Sequence, residues 1–97
     1  MDAVFSVLLS LHRGTPLYGE WVVACLEGAW PHLIGEKPAS VSRPVRFSDS
    51  ELIVEVFDKD WLDTLKRLEP DLLKKLQASA GTIIKRVRVT GGKPENQ

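Results

Sequence analysis

Apolar positions follow a helical period in three stretches of the chain and a strand period in three others. Val4, Val7, Leu8 and Leu11 fall at helical spacing, and Arg13-Gly14-Thr15-Pro16 stops that segment and can open the next. A second helical stretch runs from about Leu17 to Ile34, with Trp21, Val22, Cys25, Leu26, Ala29, Trp30 and Leu33 among its apolar positions. Pro31 lies inside it. Proline removes a backbone donor and clashes with the preceding turn, so the helix either kinks near Trp30 or restarts with Pro31 in its first turn. Gly35 is placed to end it.

From Ala39 to Phe47 the pattern alternates, and Ala39, Val41, Arg43, Val45 and Phe47 share one face of the predicted strand. Pro44 cannot donate to a ladder, which places this strand at a sheet edge. Ser48-Asp49-Ser50 is turn chemistry. Leu52 to Phe57 is the second strand, with Leu52, Val54 and Val56 on one face and Ile53 and Phe57 on the other. Asp58 or Asp60 can cap the helix that follows. Its stripe is Trp61, Leu65, Leu68, Leu72 and Leu76, and Pro70 either kinks it or separates two abutting helices. Gly81 is a natural stop. Thr82 to Val89 is the third strand, with Ile83, Val87 and Val89 facing the core and Ile84, Arg86 and Arg88 facing the other way.

The order α-α-β-β-α-β predicts an α+β domain, a three-stranded sheet with helices packed on one face. The edge proline predicts strand order 1-2-3, with the third strand parallel to the second. One domain over residues 1–90 is expected, followed by a flexible polar tail at 91–97.

Composition sharpens this in a few places. The 97 residues are 43% hydrophobic and 27% charged, too apolar for disorder. Thirteen basic and thirteen acidic residues cancel, so bulk charge points to neither nucleic acid nor membrane. Their order is uneven. From Asp49 to Thr64 six acids face one base, −5; from Leu65 to Lys93 eight bases face two acids, +6. No apolar run approaches the ~20 residues of a membrane span. The start, Met1 to Phe5, has no basic stretch of the signal-peptide kind. A soluble cytoplasmic protein is expected.

Catalytic constellations are nearly absent. Cys25, alone among apolar residues, excludes an intrachain disulfide and a cysteine-based metal site. His12 and His32 lack a clear third metal ligand, the carboxylates at 49–63 suit turns and caps, and Gly91-Gly92 is too short to cradle a phosphate. No enzyme activity, cofactor, metal or small-molecule substrate is expected. Trp21, Trp30 and Trp61 are core residues or interface anchors. Trp61, after a charged turn at a helix start, is the candidate anchor, with Lys66 and Arg67 beside it as a partner-binding set. Arg46, Lys85, Arg86 and Arg88 are candidate nucleic-acid contacts, with Arg86 and Arg88 on one face and Arg46 able to join them. No aromatic residue interleaves with these bases, as stacking on a single strand would require.

Five segments in order carry a family resemblance. Ala29-Trp30-Pro31-His32-Leu33-Ile34-Gly35 resembles the tryptophan-to-glycine entry of the DciA-like domain, and Ser42-Arg43-Pro44-Val45 is similar to its Thr-Arg-Pro-Val step. Leu52 to Val56 resembles its Leu-x-Val-x-Val strand, Asp60 to Leu65 its Trp-x-x-x-Leu helix start, and Ile84 to Val89 its closing strand. The resemblance spans Ala29 to Val89. It implies a KH-like fold and a non-enzymatic bacterial adaptor that binds the hexameric replicative DNA helicase and assists its loading during DNA replication. Valine stands at Val41 where the family often has histidine, and serine at Ser50 where it often has glycine. The alternative is a small KH-like binder of RNA or single-stranded DNA, although no KH-type Gly-x-x-Gly loop is present. Weak contact with single-stranded DNA is compatible with both.

Overall fold

The computed structural model describes residues 14–91, with the side chain of Thr82 left out. The predicted helix at Val4–Leu11 and the predicted tail from Gly92 onward lie outside the described residues.

Each helix boundary has a local cause. Helix α1, Tyr18–Gly28, buries Val22 and Leu26. The chain then restarts at Trp30 with Pro31 in the first turn, where its missing N–H would lack a helical partner anyway, and α2 is Trp30–Ile34. Gly35 ends α2 at φ 101°, a conformation that costs glycine least. A short helix α3, Glu36–Ser40, follows where the alternating pattern predicted the start of a strand. Its exit is tied to α2 by one side chain: buried Ser42 accepts a hydrogen bond from Trp30 Nε1 at 3.2 Å and donates to the Pro38 carbonyl at 2.7 Å. Trp30 is therefore a core residue with its one polar atom satisfied.

Strand β1, Ser42–Ser48, pairs antiparallel with β2, Glu51–Val56. The two-residue turn between them has positive φ at both Asp49 (54°) and Ser50 (64°), the geometry that matches hairpin twist. The register shifts between Pro44 and Arg46, so Val45 is an extra residue at a β-bulge. This corrects the predicted face of β1. Ser42, Pro44 and Phe47 turn inward; Arg43 and Val45 are exposed, and Val41 is only half-buried before the strand.

Asp58 caps α4, Lys59–Arg67, accepting from the Asp60 N–H at 2.9 Å. Helix α5, Glu69–Ala80, begins one residue later with Pro70 in its first turn. The proline thus separates two helices rather than kinking one. A 3₁₀ turn, Gly81–Ile83, consumes the residues predicted to start the last strand. Ile84 is consequently fully buried and Ile83 half-buried, the reverse of the predicted facing. Strand β3 is Arg86–Gly91, reaching one residue beyond the expected domain boundary.

The sheet order is β1-β2-β3, with β3 parallel to β2. Helices pack against it and bury Leu52, Val54, Val56, Val87 and Val89 with Leu65, Leu72 and Leu76 in one core cluster. The architecture is α+β, a three-stranded mixed sheet consistent with the KH-like arrangement. Among the described residues, no helix is long and apolar enough to cross a membrane.

One close approach fixes α1 on the sheet edge. A Cβ built on Gly19 would lie 2.6 Å from the Phe47 carbonyl oxygen, whereas Gly28 has open space around it. Tyr18 meets Phe47 edge-on, with ring centroids 6.0 Å apart. Gly19→Ala should destabilise the domain by about 1–3 kcal/mol through this clash, although alanine is the better helix former. Gly28→Ala should be neutral or stabilising by up to about 1 kcal/mol. Thermal melting of the two variants side by side checks the packing; equal melting temperatures would refute it.

Candidate functional site

The face of the sheet away from the helices carries the charged side chains. Residues paired across a ladder share a face, so the register builds three rows. Ser48, Glu51 and Arg86 form the first, Arg46, Ile53 and Arg88 the second, and Arg43, Glu55 and Thr90 the third. The bulge at Val45 is what brings Arg43 into this set beside Arg46, while Phe47 turns inward. Arg46, Arg86 and Arg88 are thus brought to one face. Lys85 is exposed but precedes β3, and its backbone N–H donates to the Ser50 carbonyl at 2.8 Å. That hydrogen bond, with one from the Arg86 N–H, fastens the start of β3 to the hairpin turn.

The arginines are partly held by acids on the same face. Glu51 lies 3.4 Å from Arg88 and 3.9 Å from Arg86, and Arg86 also donates to the Asp49 carbonyl at 3.2 Å. One carboxylate therefore serves two guanidinium groups, which leaves a positive excess. Arg43 pairs with Glu55 at 3.3 Å and lies over the Phe57 ring, 5.9 Å from its centroid. These pairs are exposed and contribute little stability, about 0–1 kcal/mol each. Their effect is to hold guanidinium groups across the sheet, where they can bind phosphate at the cost of competing with Glu51 and Glu55. Pairwise alternation alone did not reveal Arg43 as a member of this face, nor Glu51 as its counter-charge. Both follow only from the bulge and the register.

The predicted partner-binding residues are all on α4 but on different sides of it. Trp61 is half-buried and packs against the core cluster. Lys66 and Arg67 are exposed in the last turn. At about 100° per residue they lie well around the helix from Trp61. The α4 surface therefore presents a half-buried tryptophan and a separate basic pair, not one aromatic site ringed by cations.

Nothing among the described residues assembles a reaction centre. Cys25 is half-buried, and burial pushes its thiol above the ordinary value, which lowers the thiolate fraction a nucleophile needs. Among the described residues no group of three or more histidine, cysteine, aspartate or glutamate side chains could hold a metal ion. His32 is exposed on α2, and His12 lies outside the described residues.

Among curated proteins, none matches the chain. The family described as "Dna[CI] antecedent, DciA" matches residues 13–89, which takes in every helix from α1 to α5, both strands of the hairpin and most of β3. The chain belongs to the DciA family, and it is a non-enzymatic adaptor for loading the hexameric replicative DNA helicase during DNA replication.

Proposed function

We propose that this adaptor works in the cytoplasm and touches nucleic acid with its open sheet face while it holds the helicase with its helical side. The observation that carries the nucleic-acid half is the gathering of Arg46, Arg86 and Arg88 on one exposed face, with Lys85 at its border. Guanidinium groups spread over a flat sheet suit phosphate oxygens, whose contact strengthens binding without reading sequence. Glu51 and Glu55 on the same face limit that contact, so the affinity for single-stranded DNA is weak and salt-dependent. In this reading the half-buried Trp61 is an apolar contact for the helicase, and Lys66 and Arg67 meet acidic groups around the helix. The alternative, a free-standing KH-like nucleic-acid binder, draws on the same arginines but gives the helical side no role.

Replacing Arg86 and Arg88 together by glutamate should abolish binding to single-stranded DNA and leave the melting temperature near that of the parent. Both side chains are exposed, so the core is untouched. Fluorescence anisotropy with a labelled oligonucleotide at two salt concentrations measures this. Removing one phosphate-binding arginine should reduce the logarithmic salt slope by about 0.7. Binding that survives the double change, or that is insensitive to salt in the parent, would remove the open face from the reading.

A further inference from the structure

The side of helix α1 turned away from the core carries Glu20, Ala24, Glu27 and Gly28, all exposed. Val22 and Leu26 face inward and are fully buried, yet Leu17 remains 56% exposed and Ala24 is exposed. On the strand beside it the bulge extrudes Val45, which is 40% exposed. Leu17, Val45 and Phe57 are the large hydrophobic side chains left exposed among the described residues, and Phe57 lies against the Arg43 guanidinium. The other two flank one feature. Between α1 and β1 runs an open groove of about 540 Å³, with Val23 and Ala24 on its helix side and Val45 and Phe47 on its strand side. It shares Glu20 and Ala24 with a shallower depression at Leu17 and Trp21. Its lining mixes apolar side chains with the charged Glu20, Glu27 and Arg46, as the surfaces of polar protein–protein contacts do.

The rim is asymmetric. Glu20 and Glu27 line the helix side, and Arg46 lines the strand side. The two acids are seven residues apart, two turns of one helix, so they stand on the same side of α1 about 10 Å from each other along its axis. A partner helix lying along α1 would set apolar side chains against Val23, Ala24 and Val45. Its own residues seven apart would come opposite the two acids. Lysine or arginine at those places would be matched, and a phosphate backbone would be repelled.

We propose that this groove docks a helical segment of the helicase that carries basic residues among its apolar ones, matched to Glu20 and Glu27. The inference rests on the helicase reading above and adds a contact at the opposite edge of the sheet from α4. The bulge at Val45 is then the device that turns an apolar side chain outward to meet the partner, as bulges at sheet edges re-aim side chains.

The test uses the full chain and purified replicative helicase without nucleic acid. Two variants are compared with the parent, Val45→Asp and the pair Glu20→Lys with Glu27→Lys. Each should weaken helicase binding by about tenfold or more, with the melting temperature unchanged, and the lysine pair should also flatten the salt dependence. Folded variants that bind within about twofold of the parent overturn the groove while leaving the helicase reading intact. Tighter binding by the lysine pair marks an acidic occupant and overturns the proposal. So does a large loss of thermal stability in Val45→Asp, which would show that the chain itself covers the groove, or self-association of the parent that the variant abolishes. A parent that does not bind helicase at all overturns both readings.

Discussion

Leu76→Ala is expected to lower the unfolding free energy by about 2–5 kcal/mol. Leu76 is fully buried in α5 and belongs to the cluster that joins this helix to Leu52, Val54 and Val89 of the sheet. Truncation removes transfer energy and leaves a cavity that a domain of this size has few ways to collapse around. Small domains hold only several kcal/mol in reserve, so much of the variant population should be unfolded near physiological temperature. Leu72→Ala, at 3% exposure, should behave similarly. Leu68→Ala should cost less, because Leu68 is only half-buried at the junction between α4 and α5. Denaturant melts of the three variants give the ranking. If Leu76→Ala melts like the parent, the packing of α5 on the sheet is wrong.

The second large effect is expected at Trp61. It packs against the core cluster yet is only half-buried. Trp61→Ala should therefore cost about 2–3 kcal/mol of stability, below the figure for a fully buried tryptophan. The remaining folded protein should also bind helicase roughly tenfold more weakly, because Trp61 is the proposed anchor. Melting and binding must be measured on the same variant. A folded Trp61→Ala protein with parental affinity would assign the tryptophan to packing alone. Unchanged stability would contradict the contacts of its buried half.

The sequence and the structure agree where chain chemistry acts locally. Proline at 31 and 70 marked both helix restarts, because its geometry fits a first turn and no later position. Gly35 and Gly81 ended helices as expected, and Asp58 capped α4. Pro44 on β1 correctly implied an edge strand and hence the order β1-β2-β3. Failures came where one residue changed the phase. The extra residue at Val45 reversed the facing of the first half of β1, since a strand has a two-residue period and a single insertion exchanges its faces. The 3₁₀ turn at Gly81–Ile83 did the same before β3 and sent Ile84 into the core. Helix α3 was hidden because Ala39 and Val41 continue an alternating pattern by coincidence of spacing.

The candidate site was legible to a similar degree. Arg86 and Arg88 share a face in any regular strand, and Arg46 joined them as its alternation with Phe47 implied, while the bulge brought Arg43 to the same face. Their acidic partner Glu51 could not be read from spacing, because it depends on the parallel register between two strands that a helix pair separates. Trp61, Lys66 and Arg67 are close in sequence, but helical rotation directs them to different sides of α4. The α1–β1 groove requires both the bulge and the crossing at Gly19, neither of which leaves a periodic trace.

This small domain binds the replicative helicase directly, without nucleic acid as a bridge. Titration of the full chain into purified hexameric helicase, after nuclease treatment and with no nucleic acid added, tests it most directly. Isothermal calorimetry should give saturable binding with a defined number of chains per hexamer. No heat of binding, or association that appears only when single-stranded DNA is restored to bridge the two proteins, would contradict it.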